Sequence, residues 1–318
     1  MVIAVEKAQF KDIYIAGIGA IGTLIASNLD RSGNSVRLIL KNEKAVRDYQ
    51  QTGLEMLVAD QRYISKPPAI SLQECSLPIS LLICCVKAHD IAGLLYDLRH
   101  CLNEQSIVIL IHNGMGVLEE VESRVPHLRL VSGITTLGGY LQAPYKGVGF
   151  LSGKTSLGAL KGVFSSEEIT DMTELFHRSG LHCEWVEFIA PVIWDKFAIN
   201  CSINILTVLW SCKNGHLLTR MKELEQLVAE VALVLEAYQI PISYSYLLNK
   251  VIHILNLTAG NYSSTYQDIK KGRQTEINYL NRYLVSLAAK KNIAVPYSER
   301  LLQQFQAHEL RAIPHGVV

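Results

Sequence analysis

The feature that most constrains the fold is a glycine-rich turn near the start of the chain. Residues 13–16 form a short apolar run, and the six residues that follow it are G-I-G-A-I-G. A helical pattern over residues 23–31 and an apolar strand over residues 35–40 come next. The order strand, G-x-G-x-x-G turn, helix and strand is typical of the phosphate-binding unit of dinucleotide-binding proteins. The start of the chain therefore predicts a parallel sheet with helices packed on it.

Each glycine of the turn has its own task in such a unit. Gly17 makes the tight turn, Gly19 lets the backbone approach a pyrophosphate, and Gly22 allows the helix to pack closely on the strand. The helix that begins here presents unpaired N–H groups and positive potential to a phosphate. The cofactor-binding residues predicted in this turn are Gly17, Ile18, Gly19, Ala20, Ile21 and Gly22.

The end of the second strand predicts which dinucleotide binds. A site for NAD has an Asp or Glu there, which accepts a hydrogen bond from the ribose 2′-hydroxyl. This chain has Lys41 instead, and the ammonium of Lys41 attracts a 2′-phosphate. Asn42 and Lys44 are further candidate donors, and Glu43 is expected to point away. We therefore expect the cofactor to be NADPH.

Two later strands end in polar residues. The apolar run at residues 81–86 is typical of a strand that a parallel sheet buries on both faces, and Lys87 follows it. The strand at residues 106–111 is followed by His112 and Asn113. Because ligands bind at the carboxyl ends of the strands in such sheets, Lys87 and Asn113 are predicted to lie at the cofactor site. We interpret His112 as a structural histidine.

The pattern changes from mixed to purely helical near Pro191. The other predicted elements include a hairpin at residues 54–58 and 61–64, a strand at residues 128–134, antiparallel strands within residues 147–160, a helix at residues 167–179, a last strand at residues 182–186 and, in the second half, a long helix at residues 217–238. The predicted domains are an NADP-binding domain of residues 1–188 and a helical substrate and catalytic domain of residues 189–318. The predicted fold class is thus α/β, with an N-terminal Rossmann-type dinucleotide-binding domain followed by an all-α C-terminal domain.

One apolar helix of the second half carries three polar side chains on one face. Lys196, Asn200 and Asn204 are spaced four apart within residues 194–214, so they lie within roughly 80° of one another around a helix. The residues between them are mostly apolar, which predicts burial on most sides. An ammonium and two carboxamides in such a helix need polar partners. Either they bond to neighbouring backbone or they line a polar cleft.

A buried lysine of this kind is suited to the reduction of a carbonyl. Hydride delivered to a carbonyl leaves an alkoxide that must be stabilised and protonated, and the ammonium of Lys196 does both. Burial alone would cost Lys196 its charge, so a carboxylate is needed nearby, and Glu276 is the candidate. The neutral groups suited to orient a carboxylate and a hydroxyl are Asn113, Asn200, Asn204 and Ser264.

Composition argues against several other classes of protein. The chain has 318 residues, 49% hydrophobic and 19% charged, and a net charge of +1, so no basic surface for nucleic acid is expected. The longest apolar run is too short to cross a bilayer, and the N-terminus has no signal-peptide pattern. Seven cysteines without a C-x-x-C are typical of reduced thiols in the cytoplasm. No metal-ligand motif occurs, so no metal site is predicted.

The chain resembles the ketopantoate reductase (2-dehydropantoate 2-reductase) family over nearly its whole length. The similar motifs are G-I-G-A-I-G at 17–22, C-V-K-A at 85–88, H-N-G-M-G at 112–116, W-D-K-F-A-I-N-C-S-I-N at 194–204, N-G at 214–215, S-S at 263–264 and Q-D-I-K-K-G-R-Q-T-E-I-N at 267–278. The glycine turn is shared with many dehydrogenases. The helix motif together with the later S-S and T-E-I is much more specific.

This resemblance implies NADPH-dependent reduction of 2-dehydropantoate to pantoate, on the path to pantothenate and coenzyme A, at an active site between the two domains. It implies that Lys196 is the proton donor and that Glu276 is the acidic partner that positions it. The residues implied to bind substrate are Asn113, Asn200, Asn204, Asn214 and Ser264. The residues implied to hold the nucleotide are Gly17, Gly19, Gly22, Lys41 and Lys87, with Asn113 between cofactor and substrate.

Two positions depart from the family pattern. Lys41 stands where an arginine is common, which keeps the charge but loses the bidentate fork, and Thr265 stands where methionine is usual. Two alternatives stay open, namely a reductase of another 2-oxo acid on the same fold and a non-catalytic NADPH-binding sensor. We expect a cytoplasmic monomer or homodimer with a small-molecule substrate and without a nucleic-acid or membrane partner.

Overall fold

The structure is a computed structural model that describes residues 10–312, with side chains described as far as residue 309. The N-terminal segment on which the signal-peptide expectation rests lies outside these residues. The chain divides into two compact units. The sheet unit consists of the residues up to His112 and of Val117–Ile189, and the helical unit consists of Asn113–Gly116 and the chain from Ala190 onward.

The described residues of the sheet unit form twelve strands, which make two sheets, together with five α-helices and one 3₁₀ helix, Leu72–Glu74. The strands are β1 (Ile13–Ala16), β2 (Val36–Leu40), β3 (Leu54–Val58), β4 (Gln61–Ser65), β5 (Ala69–Ser71), β6 (Leu81–Cys84), β7 (Ile107–Leu110), β8 (Arg129–Thr135), β9 (Gly138–Ala143), β10 (Lys146–Phe150), β11 (Lys154–Lys161) and β12 (His182–Trp185). The helices are α1 (Ala20–Arg31), α2 (Glu43–Thr52), α3 (Ala88–Asp97), α4 (Val117–Arg124) and α5 (Ser166–Arg178).

The main sheet has eight strands in the order β12-β11-β8-β7-β6-β1-β2-β5. All neighbouring strands are parallel except β8 and β11, which are antiparallel. The strands β1, β6 and β7 are buried at every position, as expected where both faces of a parallel sheet are covered. From β5 to β8 the strand order is that of a dinucleotide-binding sheet, and the order in which successive strands are added reverses between β1 and β6. The predicted Rossmann-type fold is confirmed.

The second sheet is small and has the order β4-β3-β10-β9. The predicted hairpin is present as β3 and β4, which pair antiparallel. The antiparallel strands predicted within residues 147–160 are β10 and β11, but they belong to different sheets: β10 pairs with β9 and β11 pairs with β8. The strand β9 itself was not predicted. The physical reason is that β9 begins with Gly138 and Gly139, and a Cβ on Gly139 would lie 2.8 Å from the Val148 carbonyl oxygen of β10. Glycines needed for packing here resemble glycines of turns.

The helical unit is all-α, as predicted. Its helices are α6 (Ala190–Leu209), α7 (Met221–Ala237), α8 (Tyr244–Leu257), α9 (Ser264–Lys270), α10 (Asn281–Lys290) and α11 (Pro296–Ala312). The predicted helix over residues 217–238 begins later than expected, because Asn214–Arg220 forms a separate 3₁₀ helix before α7. The helix α6 lies at the centre of the unit and packs against α7, α8, α9, α10 and α11.

The composition of α6 also meets the requirements of a membrane span. Among residues 10–312 it is the one helix long and apolar enough to cross a bilayer, yet 56% of it is buried inside the protein. A core helix has the same length and composition, so this property does not identify a membrane segment.

All seven cysteines are free. Within the described part of the chain, no group of three His, Cys, Asp or Glu side chains is arranged to hold a metal ion.

Candidate active site

The glycine turn G-I-G-A-I-G follows β1, at the point where the strand order of the main sheet reverses. The amide of Cys85 donates to the carbonyl of Ala16 at 2.7 Å, so the ends of β1 and β6 are in direct contact. Gly17 has φ +91°, and a Cβ there would lie 2.4 Å from the carbonyl carbon of Cys85. A Cβ on Gly22 would lie 2.0 Å from the carbonyl oxygen of Gly17. Two of the three glycines are therefore required by close backbone packing.

The middle glycine is different, because its surroundings are open. A Cβ on Gly19 would meet no atom within 4 Å. Gly19 is the N-cap of α1, no side chain caps that end, and the first turn carries no acidic residue. Unpaired N–H groups beside open space at a helix N-terminus fit the pyrophosphate of a dinucleotide. Ile18, Ala20 and Ile21 are partly buried around this space.

The two predicted cofactor lysines lie at the same edge of the sheet as the glycine turn. Lys41 follows β2 and is exposed, and Lys87 follows β6 at the N-terminal end of α3. The strands β2, β1 and β6 are neighbours, so the carboxyl ends of three adjacent strands supply the predicted cofactor residues. The residues after Lys41 have partners within α2: Asn42 caps the helix, Glu43 pairs with Arg47, and Lys44 pairs with Asp48.

The helical unit contains the predicted acid and its carboxylate. Lys196 lies in α6 and is half-buried. Glu276 directly precedes a 3₁₀ helix, Ile277–Tyr279, that leads into α10, and 4% of its surface is exposed. Burial lowers the pKa of the Lys196 ammonium to about 8, and the negative charge of Glu276 opposes this by raising the pKa. An amine with a pKa near neutrality is suited to donate a proton.

The segment Asn113–Gly116 holds Glu276 in place. The side-chain amide of Asn113 donates to Oε2 of Glu276 at 3.1 Å, and its backbone amide lies 3.4 Å from Oε1. The amide of Met115 donates to the Tyr279 carbonyl at 2.8 Å. Gly114 has φ +90°, and a Cβ there would lie 2.4 Å from that same carbonyl oxygen. The glycine turn of this motif thus lets the asparagine reach both oxygens of the carboxylate.

The end of α6 is tied to the start of α9 by hydroxyl groups. Thr207 Oγ1 donates to the Asn204 carbonyl at 2.7 Å and lies 2.6 Å from Ser263 Oγ. Ser263 Oγ also accepts from the amide of Tyr266 at 3.1 Å and so caps α9. Ser264, the first residue of α9, is exposed. Of the adjacent serines, Ser263 is therefore structural and Ser264 is accessible to a ligand.

Two of the predicted substrate residues have buried polar atoms without a protein partner. Asn204 is 5% exposed, and its Nδ2 has no hydrogen-bond partner among the described residues. Asn214 donates from Nδ2 to Thr258 at 2.9 Å, whereas its Oδ1 is likewise unsatisfied within that part of the chain. A buried polar atom left unpaired costs about 1–3 kcal/mol. One such donor and one such acceptor are suited to a polar ligand or to water. Asn200 is half-buried on the same helix as Asn204.

Sequence reasoning missed two buried polar residues next to the predicted site. Asn281 is fully buried at the start of α10, and its Nδ2 donates to the Cys201 carbonyl at 2.8 Å. Thr275 precedes Glu276, and its buried hydroxyl has no partner among residues 10–309. The sequence did offer one signal for Asn281: it lies three residues before Leu284, so both are on the same, apolar face of a predicted helix. Thr265, the departure from the family pattern, is buried in α9.

Substitutions of Gly19 and Gly22 are expected to separate cofactor binding from folding. Gly22→Ala brings a Cβ against backbone, so we expect the free energy of unfolding to fall by about 1–3 kcal/mol or more. Gly19→Ala meets open space and is expected to change stability by less than about 1 kcal/mol. If the pyrophosphate binds in this open space, the methyl group occupies part of it, so we expect at least about tenfold weaker dinucleotide binding, a loss of about 1.4 kcal/mol.

Urea unfolding without cofactor and fluorescence titration with NADPH and NADH measure these two effects. Wild-type affinity in Gly19→Ala would contradict the assignment of this turn to the cofactor.

Comparison with known proteins identifies the family. Residues 13–162 match the family model described as ketopantoate reductase PanE/ApbA, and residues 189–309 match its C-terminal model. The 2-dehydropantoate 2-reductase of Yersinia pestis is 30% identical over 93% of this chain and 95% of that protein. The enzyme of that name from Vibrio cholerae serotype O1 is 28% identical over 94% of this chain and 98% of that protein.

Solved structures agree with this assignment. A ternary structure of D-mandelate dehydrogenase with NADH and anilino(oxo)acetate has a TM-score of 0.86 and 26% identity, and covers 95% of this chain and 99% of that one. The 2-dehydropantoate 2-reductase from Methylococcus capsulatus, at 22% identity and a TM-score of 0.81 over 95% of this chain and 97% of that one, shows the same fold. The chain therefore belongs to the ketopantoate reductase PanE/ApbA family and is an oxidoreductase that binds a nicotinamide dinucleotide.

Proposed function

We propose that this protein is a cytoplasmic reductase that converts 2-dehydropantoate to pantoate with NADPH, in pantothenate and coenzyme A biosynthesis. The observation that carries the proposal is the lysine of α6. Lys196 has a pKa lowered to about 8 by burial, the charge of the buried Glu276 acts on it, and it shares its helix face with Asn200 and Asn204. This arrangement supplies a proton donor and neutral hydrogen-bonding groups, which a 2-oxo acid requires.

The substrate offers a carboxylate and a ketone oxygen to these groups. We assign Asn204 Nδ2 to the substrate, because it is a buried donor without a partner among the described residues. Asn214 Oδ1 is assigned to a hydroxyl for the corresponding reason, since it is an acceptor. Ser264 contributes an exposed hydroxyl at the start of α9. Asn200 and Asn113 complete the proposed substrate set, and Asn113 also lies next to the cofactor in this proposal.

The cofactor is assigned to the sheet unit, within the proposed NADP-binding domain of residues 1–188. The turn from Gly17 to Gly22 binds the pyrophosphate, Lys87 lies beside it, and Lys41 pairs with the 2′-phosphate. The support for NADPH is the exposed lysine at the end of β2, where a site for NAD has a carboxylate. When bound, NADPH supplies the hydride that reduces the ketone.

The proton comes from the proposed catalytic domain of residues 189–318. The ammonium of Lys196 hydrogen-bonds the ketone oxygen, stabilises the negative charge that develops there, and transfers its proton to give the hydroxyl. Glu276 keeps Lys196 charged in spite of its burial. Asn113 orients Glu276 by donating to its carboxylate. Lys196 returns to the ammonium form by taking a proton from solvent.

A second candidate is the reduction of an aryl 2-oxo acid with NADH. The observation in its favour is the likeness to D-mandelate dehydrogenase, whose structures contain NADH. A sensor that binds NADPH without turning over substrate has no comparable support, since it has no need for a proton donor.

The decisive experiment compares substrates and cofactors directly. We expect fast oxidation of NADPH, followed by its absorbance, with 2-dehydropantoate, and much slower oxidation with 2-oxoisovalerate or phenylglyoxylate. The same panel with NADH tests the second candidate. Preference for phenylglyoxylate and NADH would replace the proposed function with that candidate. Nucleotide binding without turnover of any of these acids would support a sensor.

Substitution of Lys41 is expected to weaken NADPH binding selectively. Lys41→Ala removes the charge that pairs with the 2′-phosphate, and a hydrogen bond to a charged group contributes about 1.5–3 kcal/mol. We therefore expect KM for NADPH to rise about 10- to 100-fold, with KM for NADH nearly unchanged. Lys44→Ala is the matched control, because Lys44 is already paired with Asp48. An equal loss for both cofactors in Lys41→Ala would contradict recognition of the 2′-phosphate.

The pH dependence of reduction is expected to follow Lys196. The protonated form is the active one, so kcat/KM should be constant well below pH 8 and fall about tenfold per unit above it. Glu276→Gln removes the charge that raises the pKa of Lys196, so the alkaline limb should move to lower pH. Lys196→Met should lose most turnover, and its remaining activity should no longer fall above pH 8, but the variant should keep NADPH binding. An unmoved limb in Glu276→Gln would refute the coupling of the two residues.

A further inference from the structure

The proposed acid and its carboxylate are carried by two different elements of the helical unit. Lys196 lies in α6, and Glu276 lies in the segment that leads into α10. Coulombic attraction falls with distance, so the field of Glu276 at Lys196 depends on how firmly these two elements are held together. The contacts between α6 and α10 therefore bear on the chemistry of the pair.

Asn281 makes a polar contact between the two helices. Asn281 is the first residue of α10 and lies five residues after Glu276. It is fully buried, and its Nδ2 donates to the Cys201 carbonyl at 2.8 Å. Cys201 is itself fully buried and lies five residues after Lys196 on α6. One side chain thus joins the helix of the lysine to the segment of the carboxylate.

Stability alone does not explain an asparagine at position 281. Its Oδ1 is buried and has no hydrogen-bond partner among the residues that the structure describes. An unsatisfied buried acceptor loses its hydration without compensation, a penalty that an apolar side chain of similar shape avoids. The Cys201 carbonyl lies within α6, where a helical carbonyl already has a backbone partner. An asparagine here is explained better by the position it enforces than by the stability it adds.

A second contact between α6 and α10 supports the same alignment. The ring of Phe197, the residue next to Lys196, packs edge-to-face on Tyr283 with centroids 6.1 Å apart. Tyr283 is two residues from Asn281, so the polar and the aromatic contact act on the same turn of α10. Aromatic packing tolerates sliding, whereas a hydrogen bond of 2.8 Å does not. Asn281 therefore sets the register of the two helices.

We propose that Asn281 is a positioning residue, which holds Glu276 at its working distance from Lys196 by tying the start of α10 to the Cys201 carbonyl of α6. This inference rests on the proposed function of Lys196 as proton donor. Asp195, the acid next to Lys196 in the chain, has partners on α8, where it accepts from Lys250 at 2.6 Å and from the Tyr246 hydroxyl at 3.2 Å. Glu276 is the charged group whose field acts on the Lys196 ammonium.

The test replaces Asn281 with leucine and follows the ionisation of Lys196 directly. Lysine labelled with ¹³C at Cε is titrated by NMR in the full-length protein, and the Lys196 signal is assigned by its loss in Lys196→Gln. In Asn281→Leu we expect the pKa of Lys196 to fall by about one unit, the lower end of the effect of an opposite charge. The midpoint of urea unfolding should stay close to that of the wild type, because the unsatisfied acceptor is removed together with the bond.

The matched control is Leu284→Val, on the same helix. Leu284 is fully buried in the core, and its truncation is expected to lower the midpoint of urea unfolding without touching the Asn281 bond. It should leave the pKa of Lys196 unchanged. Asn281→Met serves as a second variant if Asn281→Leu does not fold. The same variants are assayed for catalytic efficiency against pH with 2-dehydropantoate as substrate, where the alkaline limb should move with the NMR pKa.

A double variant shows whether Asn281 acts through the carboxylate. In a Glu276→Gln background, Asn281→Leu should shift the pKa of Lys196 no further, because the charge it positions is absent. An unchanged pKa in Asn281→Leu, an additive shift in the double variant, or an equal shift in Leu284→Val would overturn the proposal. If the wild type reduces no 2-oxo acid, the proposed function fails, and the NMR titration still decides the role of Asn281.

Discussion

The opposition between burial and charge at Lys196 is the constraint on which the helical unit depends. Burial in an apolar helix removes water from the ammonium and favours its neutral form. The carboxylate of Glu276 opposes this, but a carboxylate that is itself buried needs donors. Asn113 supplies them, and it reaches Glu276 because the glycine turn after it runs against Tyr279. The ammonium, the carboxylate and the donating segment therefore form one dependent set.

The sheet unit has a constraint of a different kind, which is steric. Where the strand order of the main sheet reverses, backbone atoms approach so closely that Gly17 and Gly22 have no room for a Cβ, while Gly19 faces open space. The same three glycines thus combine tight packing with an open helix N-terminus. Because both properties belong to the backbone, they need no charged side chain in the turn. In the proposed function, specificity for one dinucleotide comes from Lys41 at the end of the next strand.

Some elements were predictable because their signal is local. The strands β1 and β6 are continuous apolar runs, and the four-residue spacing of Lys196, Asn200 and Asn204 follows from helix geometry alone. Other elements were not predictable, because their cause is non-local. The strand β9 begins with Gly138 and Gly139, which a sequence pattern assigns to a turn, whereas a Cβ on Gly139 would lie 2.8 Å from the Val148 carbonyl oxygen of the neighbouring strand β10.

The sequence by itself determined the α/β class with its helical second half, the strand-turn-helix unit for a dinucleotide, and the candidate residues, since each depends on periodicity or on neighbours along the chain. Only the tertiary structure decided which of these residues act on one another. It joined Asn113 to Glu276 across 163 positions of the chain, made Ser263 a cap and left Ser264 accessible. It also revealed Asn281, which has no motif of its own. Hydrogen bonds and desolvation depend on distance in space, and spacing along the chain does not report that distance.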